Sequence, residues 1–283
     1  MQDSPGRMKL HLRQFDMSSI ADDKVVVCIG KRGTGKSWAV RELLSHHTTI
    51  PTGMVISPTE QANKFFTEMV PSVLIHDEYS EQAIDNLVSR QKAVMQKFNT
   101  ERALGSKEPV DPRAFALLDD CNYDSSWIKD KNIRYLFMNG RHIKVFFIIT
   151  MQYSLGLPPI LRSNVDYTFI FRETNIANRK RIYENYAGFI PTFDMFCQIL
   201  DQCTQEHDFL VINNTCKVND LSEQLFWCRA KVPEPFRMCS ASLWRLSKQV
   251  QSMDPSDASE GPALYDIEKM KKAKSRIHVV KDE

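Results

Sequence analysis

The 283-residue sequence predicts an α/β protein, with a mostly parallel central sheet, flanking helices and a small C-terminal extension. Three observations lead to that class. Short runs that are apolar at every residue recur along the chain, and such runs suit strands covered on both faces, as in a parallel sheet. Segments with helical punctuation separate them, so strand and helix alternate in the order of a doubly wound layer structure. The composition, 42% apolar and 25% charged, is that of an ordinary globular chain long enough for one large core with appendages.

Taken in order, strands are expected over Lys24 to Ile29, Met54 to Ser57, Val73 to His76, Ala114 to Asp119, Lys144 to Thr150 and Tyr167 to Phe171. A helix over Lys36 to Leu44 follows a Gly-rich turn, and another over Glu60 to Met69 follows Pro58. A long helix is expected over Glu81 to Leu104, where Ile84, Leu87, Val88, Val94, Met95 and Phe98 recur at heptad-like spacing. Helices over Ser126 to Asn139 and Ile176 to Tyr186 complete the alternation. After Pro191 a helix is expected to Leu200, and "HDFLVINNTCKV" reads as a strand pair turning at Asn213-Asn214. From Ser252 to Pro262 the composition shifts to Ser, Asp, Pro and Gly, which marks a linker or disordered tail. The expected division is an N-terminal segment over 1–23, a core over 24–230 and an extension over 231–283 that ends in a basic stretch. That stretch, "EKMKKAKSR" at 268–276, suits either contact with DNA phosphates or a partner, or a solvated helix end.

Composition also excludes some function classes. A formal charge of +2 leaves any nucleic-acid surface to local clusters of charge. The longest apolar runs, such as Val145 to Ile149, fall far short of the roughly 20 residues of a membrane helix, so no membrane span is expected. The first 20 residues lack the apolar centre of a signal peptide, and seven cysteines without framework spacing suit a reducing compartment; a soluble cytosolic chain is expected. Cys197, Cys203, His207 and Cys216 are close together but contain no C-x-x-C knuckle, which favours buried thiols over zinc.

The chemistry is concentrated in three stretches. In "VVVCIGKRGTGKSWAV", Gly30, Lys31, Arg32, Gly33, Thr34, Gly35, Lys36 and Ser37 fill the Walker A pattern G-x-x-x-x-G-K-[ST] between a strand and a helix. Glycines let successive backbone N–H groups face phosphate oxygens, and the new helix adds its N-terminal dipole. Lys36 is expected to reach the β- and γ-phosphates, and Ser37 to ligate Mg²⁺. The loop therefore predicts a bound nucleoside triphosphate, ATP, with Mg²⁺.

The second stretch, "AFALLDDCN", is an apolar strand running into Asp119 and Asp120. Asp119 is expected to hold Mg²⁺, and Asp120 to polarise the attacking water. The absence of an N-K-x-D motif disfavours a GTPase, and the second acid disfavours a kinase. The third stretch, "IKVFFIITMQY", ends a strand at Gln152, whose neutral amide can sense the γ-phosphate or orient water. In the common ATPase layout this sensing strand lies between the loop strand and the acid-pair strand.

Together, "LRQFD…VVVCIGKRGTGKS", "FALLDDC", "MNGRHIKVFFIITMQY", "PPILRSNVDYTFIFRE" and "DQCT" resemble the genome-packaging ATPases of the nucleocytoplasmic large DNA viruses, of poxvirus and mimivirus type, within the FtsK–HerA group. The likeness runs from about Leu12 to about Thr215. It implies a P-loop NTPase of the additional-strand catalytic-acid type. It also implies a homo-oligomeric ring that drives double-stranded DNA into a viral capsid, at a portal-like vertex, by ATP hydrolysis. The implied location is the host cytoplasm at the site of virus assembly, and the virion. Carried over by position, Gly30 to Ser37 is the nucleotide loop, Asp119 the metal acid, Asp120 the catalytic acid and Gln152 the sensor. Many motor ATPases have Glu where Asp120 stands, and Asp is one methylene shorter. Motors of this type also take a positive charge from a neighbouring subunit; Arg141 in "NGRH" and Arg162 in "PPILRSN" are the candidates, with Arg32 able to act within its own chain. A cellular or plasmid-type translocase or helicase of the same group, and a slow nucleotide-dependent assembly switch, are the alternative readings.

Overall fold

Each of the six apolar runs forms a strand of one sheet, five of them inside it and the run ending at His76 at its edge. The computed structural model describes residues 10–121, 126–153, 156–218 and 220–252. Their strands are β1 (Arg13–Gln14), β2 (Val25–Ile29), β3 (Gly53–Ile56), β4 (Ile75–His76), β5 (Ala114–Asp119), β6 (Val145–Met151), β7 (Tyr167–Ile170), β8 (Asp208–Asn213) and β9 (Leu225–Arg229). The helices are α1 (Lys36–Ser45), α2 (Glu60–Asn63), α3 (Glu81–Ala103), α4 (Ser126–Lys129), α5 (Lys131–Asn139), α6 (Pro159–Arg162), α7 (Ile176–Tyr186), α8 (Phe193–Cys203), α9 (Leu221–Gln224) and α10 (Ala241–Ser252).

The strands of the described residues make one sheet in the order β1-β9-β8-β7-β2-β6-β5-β3-β4. Pairing is parallel from β7 through β2, β6, β5 and β3 to β4, and antiparallel at β7–β8 and β8–β9. This is the α/β class the sequence predicts, with β6 between β2 and β5 as the sensor-strand layout requires.

The apolar runs are continuous because alternate residues serve different cores. Val25, Val27 and Ile29 of β2, with Val145, Phe147 and Ile149 of β6, pack on one face with α3, α5 and α8. Val26 and Cys28, with Phe146 and Ile148, pack on the other with Ala39, Val40, Leu43 and Leu44 of α1. All ten of these strand residues are almost fully buried.

Three local expectations need correction. The helix from Glu60 ends at Asn63, because Lys64 turns to φ 49° and the buried Glu60 carboxylate accepts the N–H groups of Phe66 and Thr67. The helix over Ser126 to Asn139 is two helices, broken where the Asp130 carboxylate accepts the Asn132 N–H and caps α5. No hairpin forms at Asn213-Asn214. Asn213 accepts the Thr215 N–H and ends β8, while the antiparallel partner is β9, reached through α9.

Residues before the expected core also join the sheet. β1 pairs in parallel with β9, and Phe15, Met17 and Ile20 are buried beneath it. Beyond β9, α10 docks through Ser247, whose Oγ accepts the Ser72 N–H at 2.9 Å. The Ser252-to-Pro262 linker, past Ser252, and the basic stretch at 268–276 lie outside the described residues.

Candidate nucleotide site

Register brings three strand ends to one level. Ile29 lies opposite Met151, and Asp119 lies opposite Thr150, so β2, β6 and β5 finish together. The Gly30 N–H donates to the Met151 carbonyl at 3.0 Å, which continues the ladder into the loop. At that edge lies a cleft of about 630 Å³.

The loop between β2 and α1 depends on its glycines. A Cβ on Gly30 would lie 2.5 Å from Phe171 Cβ and 2.8 Å from Thr34 Oγ1, so the close approach needs glycine. Gly35 has φ 100°, a left-handed conformation that glycine adopts without a steric penalty, and it caps α1. The Lys36 ammonium donates to the carbonyls of Gly30 at 2.6 Å and Lys31 at 2.9 Å, folding back across the loop. Burial lowers the Lys36 pKa, with Asp120 and Asp119 acting against that shift.

Arg32, Gly33, Gly35, Lys36 and Ser37 line the cleft with Asp119, Asp120 and Gln152. The sequence-predicted residues thus converge, apart from Gly30 and Thr34, whose carbonyl and hydroxyl respectively hydrogen-bond within the loop, and Lys31 and Arg141. The Lys31 side chain leaves the loop and pairs with the buried Glu173 at 2.7 Å, so only its backbone remains for a phosphate. Arg141 is not brought to this cleft in its own chain. It faces a second hollow with Lys24 and Asp166, at the end where β2 begins, a strand length of roughly 17 Å from the loop. Arg162 lies over the Tyr186 ring, 5.7 Å from its centroid.

The acid pair divides into two environments. Asp119 accepts from Thr150 Oγ1 at 2.7 Å and from Ser57 Oγ at 3.1 Å. Burial raises its pKa against those two hydrogen bonds, and the Asp120 charge raises it further. Asp120 is forced to φ 52°, its N–H held by Thr150 Oγ1 at 3.0 Å, and its carboxylate accepts from the Gln152 amide. One carboxylate is sunk and fixed, while the other faces the cleft in contact with the glutamine.

These groups fit a polyphosphate with a hard divalent cation. Ser37 and Asp119 offer oxygen donors only, the set that Mg²⁺ prefers, and Mg²⁺ commonly takes one or two carboxylates and completes its shell with phosphate and water. Among the described residues no group of three His, Cys, Asp or Glu could hold a metal by itself. His207, grouped by sequence with Cys197, Cys203 and Cys216, instead faces the loop, 3.4 Å from where a Gly35 Cβ would stand. Cys216 donates to the Val218 carbonyl.

Sequence reading missed much of the cleft wall: Trp38, Phe65, Glu206, His207, Arg229 and Val232. Trp38 is adjacent to the loop motif and was legible by position. The others arrive from distant elements, and Glu206 and His207 do so through consecutive left-handed residues. Among the described residues no helix is long and apolar enough to cross a membrane.

Known proteins resemble this chain in sequence or in fold. The chain is 36% identical to the uncharacterized protein L437 of Acanthamoeba polyphaga mimivirus, over 79% of its own length and 78% of that protein's. It is 41% identical to the uncharacterized protein 075L of Invertebrate iridescent virus 6, over 73% and 76%. Among solved structures, it resembles the genome packaging NTPase B204 from Sulfolobus turreted icosahedral virus 2 in complex with AMP, with a TM-score of 0.50 and 13% identity, covering 75% of this chain and 100% of that one. It also resembles the pCW3 conjugation coupling protein TcpA with ATPγS, with a TM-score of 0.52 and 13% identity, covering 74% and 60%. At that identity the structural likeness is one of fold. No family model matches the chain.

Proposed function

The chain belongs to one family with these mimivirus and iridescent-virus proteins, and on that premise we propose that it is an ATP-hydrolysing motor that translocates double-stranded DNA and packages a viral genome into its capsid. The observation that carries the reading is the strand order. With β6 between β2 and β5, the phosphate loop, the acid pair and Gln152 meet in one cleft.

The loop's backbone N–H groups and Lys36 would bind the polyphosphate, Lys36 exchanging loop carbonyls for phosphate oxygens. Mg²⁺, held by Ser37 and Asp119, would supply charge neutralisation at the β- and γ-phosphates. Asp120 would take the proton of the attacking water, and Gln152, already joined to Asp120, would orient that water. Thr150 ties both acids to the sensor strand, since it donates to Asp119 and accepts from the Asp120 N–H. A change at the γ-phosphate can thereby move β6 and the acids together.

Partners follow from the same reading: duplex DNA, a homo-oligomeric ring, and a capsid or portal-like vertex at the assembly site in the host cytoplasm. The likeness of fold to a conjugation coupling protein favours one second reading, a DNA translocase that works outside packaging. ATPase assays on the purified chain test the class. Linear duplex DNA should stimulate hydrolysis several-fold. Stimulation by single strands alone would indicate a helicase, and turnover indifferent to DNA would indicate a nucleotide switch.

A further inference from the structure

Hydrolysis uses the loop end of the cleft and leaves the rest of its wall without a task. That wall contains Trp38, the residue after Ser37, which is 46% exposed although it lines the cleft. Its ring is not free to turn. Phe65 meets it edge-on at 6.3 Å between centroids, and Arg41 lies over it at 5.8 Å, itself paired with Glu68. A second part of the lining is the chain leaving β9, where Val232 is 75% exposed. This exit is fastened to α1, because the buried Glu42 accepts the Lys231 N–H at 2.5 Å. Trp38 and Glu42 stand four residues apart, on one face of that helix.

Two solvated apolar groups are therefore held in place beside a phosphate loop. A pocket with an apolar wall at one end and polar anchors at the other suits a ligand of matching polarity. We propose that Trp38, flanked by Phe65 and Val232, is a nucleobase subsite that takes a purine ring by stacking. The proposal rests on the reading of Gly30–Ser37 as the polyphosphate site. Stacking reads the face of a base and not its edge, so the larger purine ring should be favoured over a pyrimidine.

Calorimetric titration of the full chain with ADP, CDP and pyrophosphate, in Mg²⁺, tests it. The parent should bind ADP more tightly than CDP. Trp38→Ala should weaken ADP about tenfold and abolish the preference over CDP, while pyrophosphate binding stays as in the parent. Trp38→Phe should retain most of the ADP affinity. Unchanged pyrophosphate affinity also reports that the variant is folded with an intact loop. Equal losses for ADP and pyrophosphate would make the ring a support for the loop and overturn the base subsite, as would an unchanged ADP affinity. A parent that bound neither ADP nor pyrophosphate would instead refute the phosphate-loop reading itself, and the subsite with it.

Discussion

Lys36 and Asp120 occupy one cleft and should fail in different ways. Lys36→Ala removes the loop ammonium, so tight ATP binding and turnover should both be lost. Asp120→Asn should still bind ATP but hydrolyse it at least about a hundredfold more slowly, because an amide cannot accept the water's proton. Equilibrium binding alongside steady-state ATPase separates the two. Parental turnover by the Asp120 variant would remove it as the base and move the assignment to Glu206, which also lines the cleft, rather than to Glu60 or Glu78. Glu60 spends its carboxylate on the Phe66 and Thr67 N–H groups, and Glu78 is exposed. A second residue-scale prediction concerns stability. His47 is buried, with Nδ1 facing Asp22 at 2.5 Å and Nε2 without a partner among the described residues. Burial lowers its pKa, against the pull of Asp22. The unfolded chain therefore protonates first, near pH 6.5, and stability should fall as pH drops from there toward the folded value. His47→Gln should flatten the melting temperature between pH 7 and 5.5; an unchanged slope would assign it to other groups. The loop and acid pair were legible because their residues are contiguous and their chemistry fixes both type and spacing. His47 was not, since its shift arises from burial, in part against Phe146, and is opposed by Asp22, neither of them near in sequence.

At the scale of elements, continuous hydrophobicity identified β2, β3, β5, β6 and β7 with ends within a residue or so, because burial on both faces leaves no polar interruption. β1 gave no such signal. Arg13 and Gln14 are both exposed, and the strand exists only because β9 offers an edge. The supposed hairpin failed for a related reason: two asparagines suit a tight turn, but Asn213 accepts from Thr215 at the end of β8, and Asn214 donates to the carbonyls of residues 165 and 166 before β7. One close approach between strands gives a sharp prediction. A Cβ on Gly53 of β3 would stand 2.2 Å from Phe115 Cδ1 on β5, in a fully buried layer. Gly53→Ala should cost roughly 1–3 kcal/mol through overpacking, read as a lower denaturation midpoint. A midpoint equal to the parent's would mean that Phe115 has room to turn aside.

On the scale of the whole molecule, the sheet separates two ends. The nucleotide cleft opens where β2, β6 and β5 finish, and Arg141 lies where β2 begins, so any part it takes in catalysis must be in a neighbouring chain. Sequence could suggest the arginine but not its distance, because a strand's length separates residues that motif spacing treats as one block. Arg141→Ala and Lys36→Ala should each be nearly inactive, an arginine supplied in trans contributing on the order of a thousandfold or more. Mixed, they should recover part of the ATPase where an intact loop meets an intact arginine. Near-normal activity of the Arg141 variant alone would move the assignment to Arg162. Hydrolysis at this cleft is proposed to move duplex DNA, and displacement of a third strand from a triplex on linear DNA measures that movement. The parent chain with ATP and Mg²⁺ should release the third strand at a rate that falls as salt screens phosphate contacts, and Asp120→Asn should bind ATP yet release none. Brisk ATP hydrolysis by the parent without any strand release would contradict the motor reading.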